Sequence, residues 1–408
     1  MTNQRYFFLI LILGALTALG PFSIDMYLPG FPAIAQDLHT SVSQVALSLS
    51  SFFIGISAGQ LLYGPLLDRF GRKKPLYFGL ALYVVASLSC LAVHRIETLI
   101  ALRFIQAIGS CSAAVASVAM VRDLFPVKEN AKVFALLMLV LSVSPLLAPT
   151  LGGYVTAAYG WQAVFLALGV LGGLLLLASF LWLPNGYTPD TTLSLRPRPI
   201  LTNFWTVLRE PQFATYALTG AVSFSGLFAY VSGSPLVFMD LYHVEGKVYG
   251  WIFAFLSIGL IGASQVNSLL LRRYQSEQIV LVALSCQLLT TVVLLGLTSA
   301  GVLGLGGMVA LLFVFLSCLG FTSPNTSALS LAPFTRHAGS AAALMGALQM
   351  GAGALASLGV SLFDARSAVP MVALMAGASL LALLLLLVGR QRVTHLVAAA
   401  PGVGGAMH

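Results

Sequence analysis

Long apolar runs separated by short polar turns dominate this chain, and most of the runs are of similar length. They fall at residues 6–28, 44–67, 75–94, 97–121, 133–156, 161–183, 213–236, 247–271, 278–299, 302–323, 339–362 and 368–388. A helix needs about 20 residues to cross roughly 30 Å of hydrocarbon. Membrane β-strands are about half that length and alternate in polarity, whereas these runs are continuous and rich in Leu, Ala and Gly. The pattern therefore predicts an all-α integral membrane protein with twelve transmembrane helices. The longest connection divides them six and six, giving two pseudo-symmetric bundles at 1–183 and 212–389, a linker at 184–211 and a flexible tail at 390–408. In the linker, Leu201, Phe204, Trp205 and Leu208 recur at helical spacing, which fits either a short amphipathic helix on the membrane surface or a loop.

Composition agrees with a bilayer setting: 59% of residues are apolar, 8% are charged, and the mean hydropathy is +0.96. The net charge of +8 does not imply nucleic acid, because the cations are spread through loops between spans. Short cytoplasmic loops collect Lys and Arg. All twenty basic residues except Arg95, Lys247, Arg366 and the intramembrane Arg103 lie on one face if the N-terminus is inside, so both termini are expected to be cytoplasmic. The first run is expected to be a retained helix and not a cleaved leader, since it reaches Asp25 and Pro29 without a small-residue cleavage site. Cys90, Cys111, Cys286 and Cys318 lie in apolar spans without metal-like spacing and read as packing residues, and the six histidines show no ligand spacing either. No cofactor is expected beyond a proton as coupling ion. With no Gly-x-x-x-x-Gly-Lys-Ser/Thr and no sizeable loop domain, ATP-driven pumping by this chain is excluded.

Two ionisable residues sit well inside predicted spans, Asp25 and Arg103, and such positions are functional candidates by default. Span one reaches Asp25 just before its outer end, and span four reaches Arg103 about six residues after entry, so at ~1.5 Å per residue they lie at similar depth. Burial disfavours a bare carboxylate and a neighbouring guanidinium favours it. Asp25 could thus trade a proton as its surroundings change, with Arg103 as partner; a permanent Asp25–Arg103 pair that never titrates is the structural alternative. Helical spacing puts Phe22 near Asp25, and Gln106 and Ser110 near Arg103, while Tyr27 follows closely between Pro21 and Pro29. Phe224 and Tyr230 precede Pro235 in span seven, and Asn325 follows Pro324 in span ten. Proline opens the backbone ladder where a cavity can satisfy it, so these residues are candidate substrate contacts.

The turn Gly64-Pro65-Leu66-Leu67-Asp68-Arg69-Phe70-Gly71-Arg72-Lys73-Lys74 holds five charges in eleven residues. Asp68 could accept hydrogen bonds from Arg69 or Arg72, with Asp123 joining from the inner end of span four, and Gly64 and Gly71 allow close backbones. This reads as a gate latch. Asp68 could also face the N-terminus of span eleven near Gly339, where a helix dipole favours an anion. The turn has a faint counterpart at Arg272-Arg273-Tyr274 after span eight, as expected of a repeat. In span five, Pro145 and Pro149 bend the helix and Gly152 and Gly153 allow close packing, which together suit a hinge or a sealed contact between the halves.

These residues resemble the major facilitator superfamily, and within it the twelve-span drug:proton antiporters. Gly64 to Lys73 is similar to the signature loop G-x-L-x-D-R-x-G-R-[KR] at every defined position. Arg103 to Gly109 resembles R-x-x-Q-G with Ala107 in place of glycine, and Pro149 to Gly153 resembles G-P-x-x-G-G with Ala148 in place of its first glycine. Ser23-Ile24-Asp25-Met26-Tyr27-Leu28-Pro29 and Val121-Arg122-Asp123-Leu124-Phe125-Pro126 resemble the Bcr/CflA exporters of bicyclomycin and chloramphenicol. The resemblance covers residues 5–390 and implies an inner-membrane protein of a Gram-negative bacterium that exports antibiotics for protons, working as a monomer. It also implies coupling roles for Asp25 and Arg103, and a latch of Asp68, Arg69, Arg72 and Asp123. Three functions follow as expectations: a proton-coupled exporter of small antibiotics such as bicyclomycin, an exporter of metabolites such as cysteine or short peptides, and a non-transporting membrane receptor. The last would call for a soluble module that these loops do not hold.

Overall fold

The computed structural model describes residues 3–125, 127–184, 189, 197–334, 338–363 and 367–393. The tail beyond residue 393, expected to be flexible, and linker residues 185–188 and 190–196 lie outside the described residues, as do Arg336 and Arg366. Among the described residues there is no strand, and twelve helical stretches are long and apolar enough to cross a membrane. The helices are α1 (Asn3–Asp25), α2 (Phe31–Asp37), α3 (Val42–Phe70), α4 (Lys73–Ser89), α5 (Ile96–Leu124), α6 (Val127–Tyr159) and α7 (Gln162–Trp182), followed by α8 (Pro197–Leu208), α9 (Pro211–Pro235), α10 (Gly246–Leu270), α11 (Ser276–Ser299), α12 (Leu305–Leu331), α13 (Ala338–Leu362) and α14 (Val369–Gly389). In hydrocarbon every backbone polar group must be satisfied within the segment, which is why each apolar run takes this form.

Several helices extend further than the sequence suggested: α6 begins at Val127, and three spans run on through a proline. The first continues past Asp25 as a 3₁₀ turn, Leu28–Gly30, and then α2, because Pro29 and Pro32 occupy first-turn positions that need no N–H. Span seven runs on from Pro235 into a π-helical stretch, Leu236–Leu241, closed by a bond from the Tyr242 N–H to the Val237 carbonyl at 3.1 Å. Span ten passes through Pro324 to Leu331, where the Asn325 amide donates to the Phe321 carbonyl at 2.8 Å. The side chain adds a donor in the same turn, one position on from the Gly320 carbonyl that Pro324 leaves without its N–H. The helix considered for the linker is present as α8. Val207 packs against Phe213, Ala217 and Ala341, while Leu201 and Trp205 stay exposed.

The chain forms two compact units: residues 1–195 with 245–254, and residues 196–244 with 255–408. The sequence-based division placed the whole of span eight in the second half, whereas residues 245–254, which include the start of α10, group with the first unit. In that unit α5 packs against α1, α3 and α4, and α1 also packs on α6. In the second unit α9 is the hub, contacting α12, α13 and α14. Large apolar side chains such as Phe78, Phe180, Leu174 and Leu289 point outward, the reverse of a soluble protein and the arrangement a lipid solvent favours. Cys90, Cys111 and Cys318 are buried as packing residues; Cys286 is exposed.

Candidate functional site

The buried polar centre of the first unit is assembled around the last turn of α1. A helix leaves its final carbonyls without intrahelical donors, and here the Ser23 carbonyl accepts a hydrogen bond from Arg103 Nη2 at 2.8 Å. The cation therefore sits at a helix C-terminus, where the backbone dipole favours positive charge. Its Nη1 donates to Gln106 Oε1 at 2.6 Å, one turn along α5. The guanidinium also lies 4.2 Å from the Phe52 ring centroid and 4.6 Å from that of Tyr27, geometry suited to cation–π attraction. Arg103 is fully buried, its Nε has no hydrogen-bond partner, and it forms no ion pair among the described residues.

From Gln106 the network continues across helices. Gln106 Nε2 donates to Ser87 Oγ at 2.7 Å, and Ser87 Oγ donates to the Tyr83 carbonyl. The Ser23 hydroxyl donates to the Leu19 carbonyl, which leaves the Tyr83 hydroxyl to donate to Ser23 Oγ at 2.7 Å. Tyr27 closes the other side: Ser48 Oγ donates to the Val45 carbonyl, so the Tyr27 hydroxyl donates to Ser48 Oγ. Four helices are thereby pinned to one guanidinium. Ser110 bonds within its own helix, to the Ala107 carbonyl at 2.9 Å.

Asp25 is not part of this network. It is 6% exposed and makes no hydrogen bond or ion pair among the described residues. The expected Asp25–Arg103 contact is absent for a geometric reason. Ser23 faces Arg103, and at ~100° per residue Asp25 lies about 200° further round α1. The next residue, Met26, presses its carbonyl against α6, where a Cβ on Gly152 would come within 2.0 Å of it. Gly14 meets Val140 in the same way. The two contacts share one offset (140 − 14 = 152 − 26 = 126), so α1 and α6 run parallel in register and Asp25 lies level with the Gly152 contact. Gly153 in turn faces the Gly246 carbonyl, 2.7 Å from where its Cβ would be, and Gly250 faces Thr150. The Pro145 to Gly153 segment is thus one unbroken helix wedged between two backbones. Phe22, one turn before Asp25, is half-buried.

At the other end of α3 the charged turn is closed by a single arginine. Arg72 Nη1 donates to Asp68 Oδ1 at 2.5 Å and its Nε to Asp123 Oδ2 at 2.7 Å, joining the end of α3 to the end of α5. Arg69, the other donor considered, places its guanidinium 5.9 Å from the Phe70 ring. Burial alone would lower the Arg72 pKa, but hydrogen bonds and charge from Asp123 and Asp68 outweigh it and hold it above its ordinary value. A cation with a raised folded pKa contributes stability that is fully present below its unfolded value, so this contribution is constant across cellular pH. Gly71 adopts φ +81° and ψ 165°, a conformation open essentially to glycine alone. Gly64 does not mark a close approach, since a Cβ there would meet nothing within 4 Å. It precedes Pro65 inside α3, where a missing side chain relieves the clash that proline imposes on its predecessor.

In the second unit the buried polar groups are neutral. Asn325 donates to Asn267 Oδ1 at 2.7 Å, linking α12 to α10. The Ser223 hydroxyl donates to Gln287 Oε1 at 3.0 Å, and Gln287 Nε2 donates to Ser379 Oγ at 3.1 Å, linking α9, α11 and α14. Tyr230 is buried, and Phe224 is half-buried with its ring edge-on to Phe228 at 5.4 Å. Asn267, Gln287, Tyr83 and Ser87 are missed by the sequence pattern, because they carry no intramembrane charge, sit at no helical spacing from Asp25 or Arg103 and adjoin no proline. An amide inside an apolar span was the available signal, because it too must find partners there.

A family model described as the Major Facilitator Superfamily matches residues 13–357. The uncharacterized MFS-type transporter YdgK of Bacillus subtilis is 34% identical over 92% of this chain and 93% of that protein. The bicyclomycin resistance protein homolog of Haemophilus influenzae is 32% identical over 91% of this chain and 94% of that protein. The chloramphenicol resistance protein of Pseudomonas aeruginosa is 28% identical over 89% and 86%. Among solved structures, a D-xylose-proton symporter superposes with a TM-score of 0.73 at 14% identity, covering 98% of this chain and 99% of that one; at that identity the likeness concerns the fold.

Proposed function

We propose that this chain, which belongs to the Major Facilitator Superfamily, exports small antibiotics such as bicyclomycin in exchange for protons. It is a secondary transporter of small molecules and a multi-pass protein of a bacterial inner membrane. The finer reading is supported chiefly by Asp25, a carboxyl group buried in the membrane region of the first unit with no cation or hydrogen-bond donor upon it among the described residues. A carboxylate locked to Arg103 would have no reason to release its charge. An unpartnered one changes protonation with any change in its access to water. Its level with the Gly152 contact supports the coupling: opening the α1–α6 packing would hydrate the acid, and a bound cationic or polar substrate would favour its ionised form.

In this reading Arg103 acts as a positioning residue that fixes the end of α1 through the Ser23 carbonyl, and Arg72 with Asp68 and Asp123 latches the turn. Phe22, Tyr27, Gln106 and Ser110 in the first unit are proposed as substrate contacts, as are Phe224, Tyr230 and Asn325 in the second, and the chain is proposed to work as a monomer without a cofactor. The driving force suffices: ~1.4 kcal/mol per pH unit and ~2.3 kcal/mol per charge per 100 mV. Transport into proteoliposomes under an imposed pH gradient tests the proposal with bicyclomycin, chloramphenicol and cysteine side by side. One proton per substrate at one pH unit supports about tenfold accumulation. Accumulation of cysteine alone would favour the metabolite reading, and accumulation indifferent to the gradient would overturn proton coupling.

A further inference from the structure

On the membrane face that carries few cations, one basic side chain is set apart from the rest. Arg95 pairs with Glu97 at 3.5 Å, and both are exposed. Arg366 lies outside the described residues. Lys247, in the first turn of α10, forms no ion pair among the described residues, and its ammonium stands 5.5 Å over the ring of Tyr154. The two residues open onto a cavity of about 300 Å³ lined by Tyr154, Val155, Ala157, Ala158, Tyr159 and Lys247, all within the first unit. Its surroundings are those of a bilayer boundary: Tyr159 is 80% exposed, and Trp251, Val248 and Leu151 form an exposed apolar flank beside it. Tyr and Trp gather at that depth, with the ring in the apolar layer and the polar end toward headgroups.

We propose that this cavity is a binding site for the headgroup of an anionic phospholipid. Lys247 would offer its charge to the phosphate, and the Tyr154 and Tyr159 hydroxyls would donate to phosphate oxygens. The apolar flank would carry the start of the acyl chains, which is what distinguishes a lipid from a free anion here. The site has a structural consequence. Lys247 follows Gly246, whose carbonyl faces Gly153, so a headgroup held by Tyr154 and Lys247 braces the contact between α6 and the start of α10. The proposal goes beyond the transport reading and does not depend on the substrate.

Native mass spectrometry of the purified full-length protein, titrated with phosphatidylglycerol or phosphatidylcholine, tests it without any transport step. A basic side chain at a lipid surface contributes about 1 kcal/mol, or about fivefold in affinity. Lys247→Gln is therefore expected to weaken phosphatidylglycerol retention about fivefold, Lys247→Arg to preserve it, and Arg95→Gln to leave it unchanged. Equal retention by wild type and Lys247→Gln, or of the two lipids by wild type, would overturn the proposal. Should Lys247→Gln fold poorly, a photoactivatable phosphatidylglycerol on the wild-type protein decides: labelling at residues 154–159 and 247 supports the site, and labelling confined to other segments rules it out.

Discussion

The two compact units solve the same problem with different chemistry. Each must bury polar side chains to tie its helices together inside hydrocarbon. The first does so around Arg103 and leaves Asp25, on the other side of α1, without a partner among the described residues. The second uses only neutral groups, with Gln287 bridging Ser223 and Ser379 and Asn267 pairing with Asn325. Among the described residues, Asp25 and Arg103 are the only buried side chains of Asp, Glu, Lys or Arg type. A neutral amide network cannot take up or give away charge as conditions change, whereas a lone acid can. Among the described residues, the difference places the one buried acid in the first unit and leaves the buried networks of the second built from neutral groups.

That contrast can be broken most directly at Asp25. Asp25→Asn keeps the shape and removes the exchangeable proton, so gradient-driven accumulation in proteoliposomes is expected to fall from about tenfold to none; a variant that still concentrates substrate would end the coupling assignment. Arg103→Met comes next. It strands the Ser23 carbonyl and Gln106 Oε1, at about 1–3 kcal/mol for each orphaned group, and thermal unfolding in detergent should register a clear drop. A midpoint equal to wild type would mean that the guanidinium does not hold the end of α1. Arg72→Gln removes the bridge between Asp68 and Asp123, but Asp68 is half exposed, so solvent screening limits the loss to about 1 kcal/mol. Turnover should fall about fivefold with substrate affinity nearly intact, and a pure affinity change would place the turn outside the gating cycle. The smallest effect is expected in the second unit. Gln287→Leu should cost about 0.6 to 1.7 kcal/mol, the range of interhelical hydrogen bonds in membranes, and leave the dependence of transport on pH unchanged. A shifted pH profile there would erase the division between the units.

The architecture was legible because hydrocarbon leaves a chain so few options: run length alone placed twelve spans, and the boundaries missed most at the start of α6 and at Pro29, Pro235 and Pro324. Proline reads as a terminator, yet neighbouring side chains and 3₁₀ or π geometry carried all three helices onward. The depth of Asp25 and Arg103 was also readable, since it needs only rise per residue. Their separation around α1 was readable in principle from helical phase, but only once Ser23 was known to face α5, which is a fact of packing. The same limit hid Asn267 and Gln287, whose partners lie on other helices at sequence distances of 58 or more. The Gly152 and Gly153 contacts were anticipated as a type, and their counterparts Met26 and Gly246 were not.

The π-helical stretch at Leu236–Leu241 bears on how this protein can change over evolutionary time. Such a turn is an α-helix holding one surplus residue, so it marks a place where chain length has room to vary. Excising a single amino acid there would take up the surplus and restore regular winding, leaving Tyr242 on the side from which its hydroxyl now reaches the Leu303 carbonyl at 2.8 Å. A one-codon deletion in a regular span would instead rotate everything beyond it by about 100°.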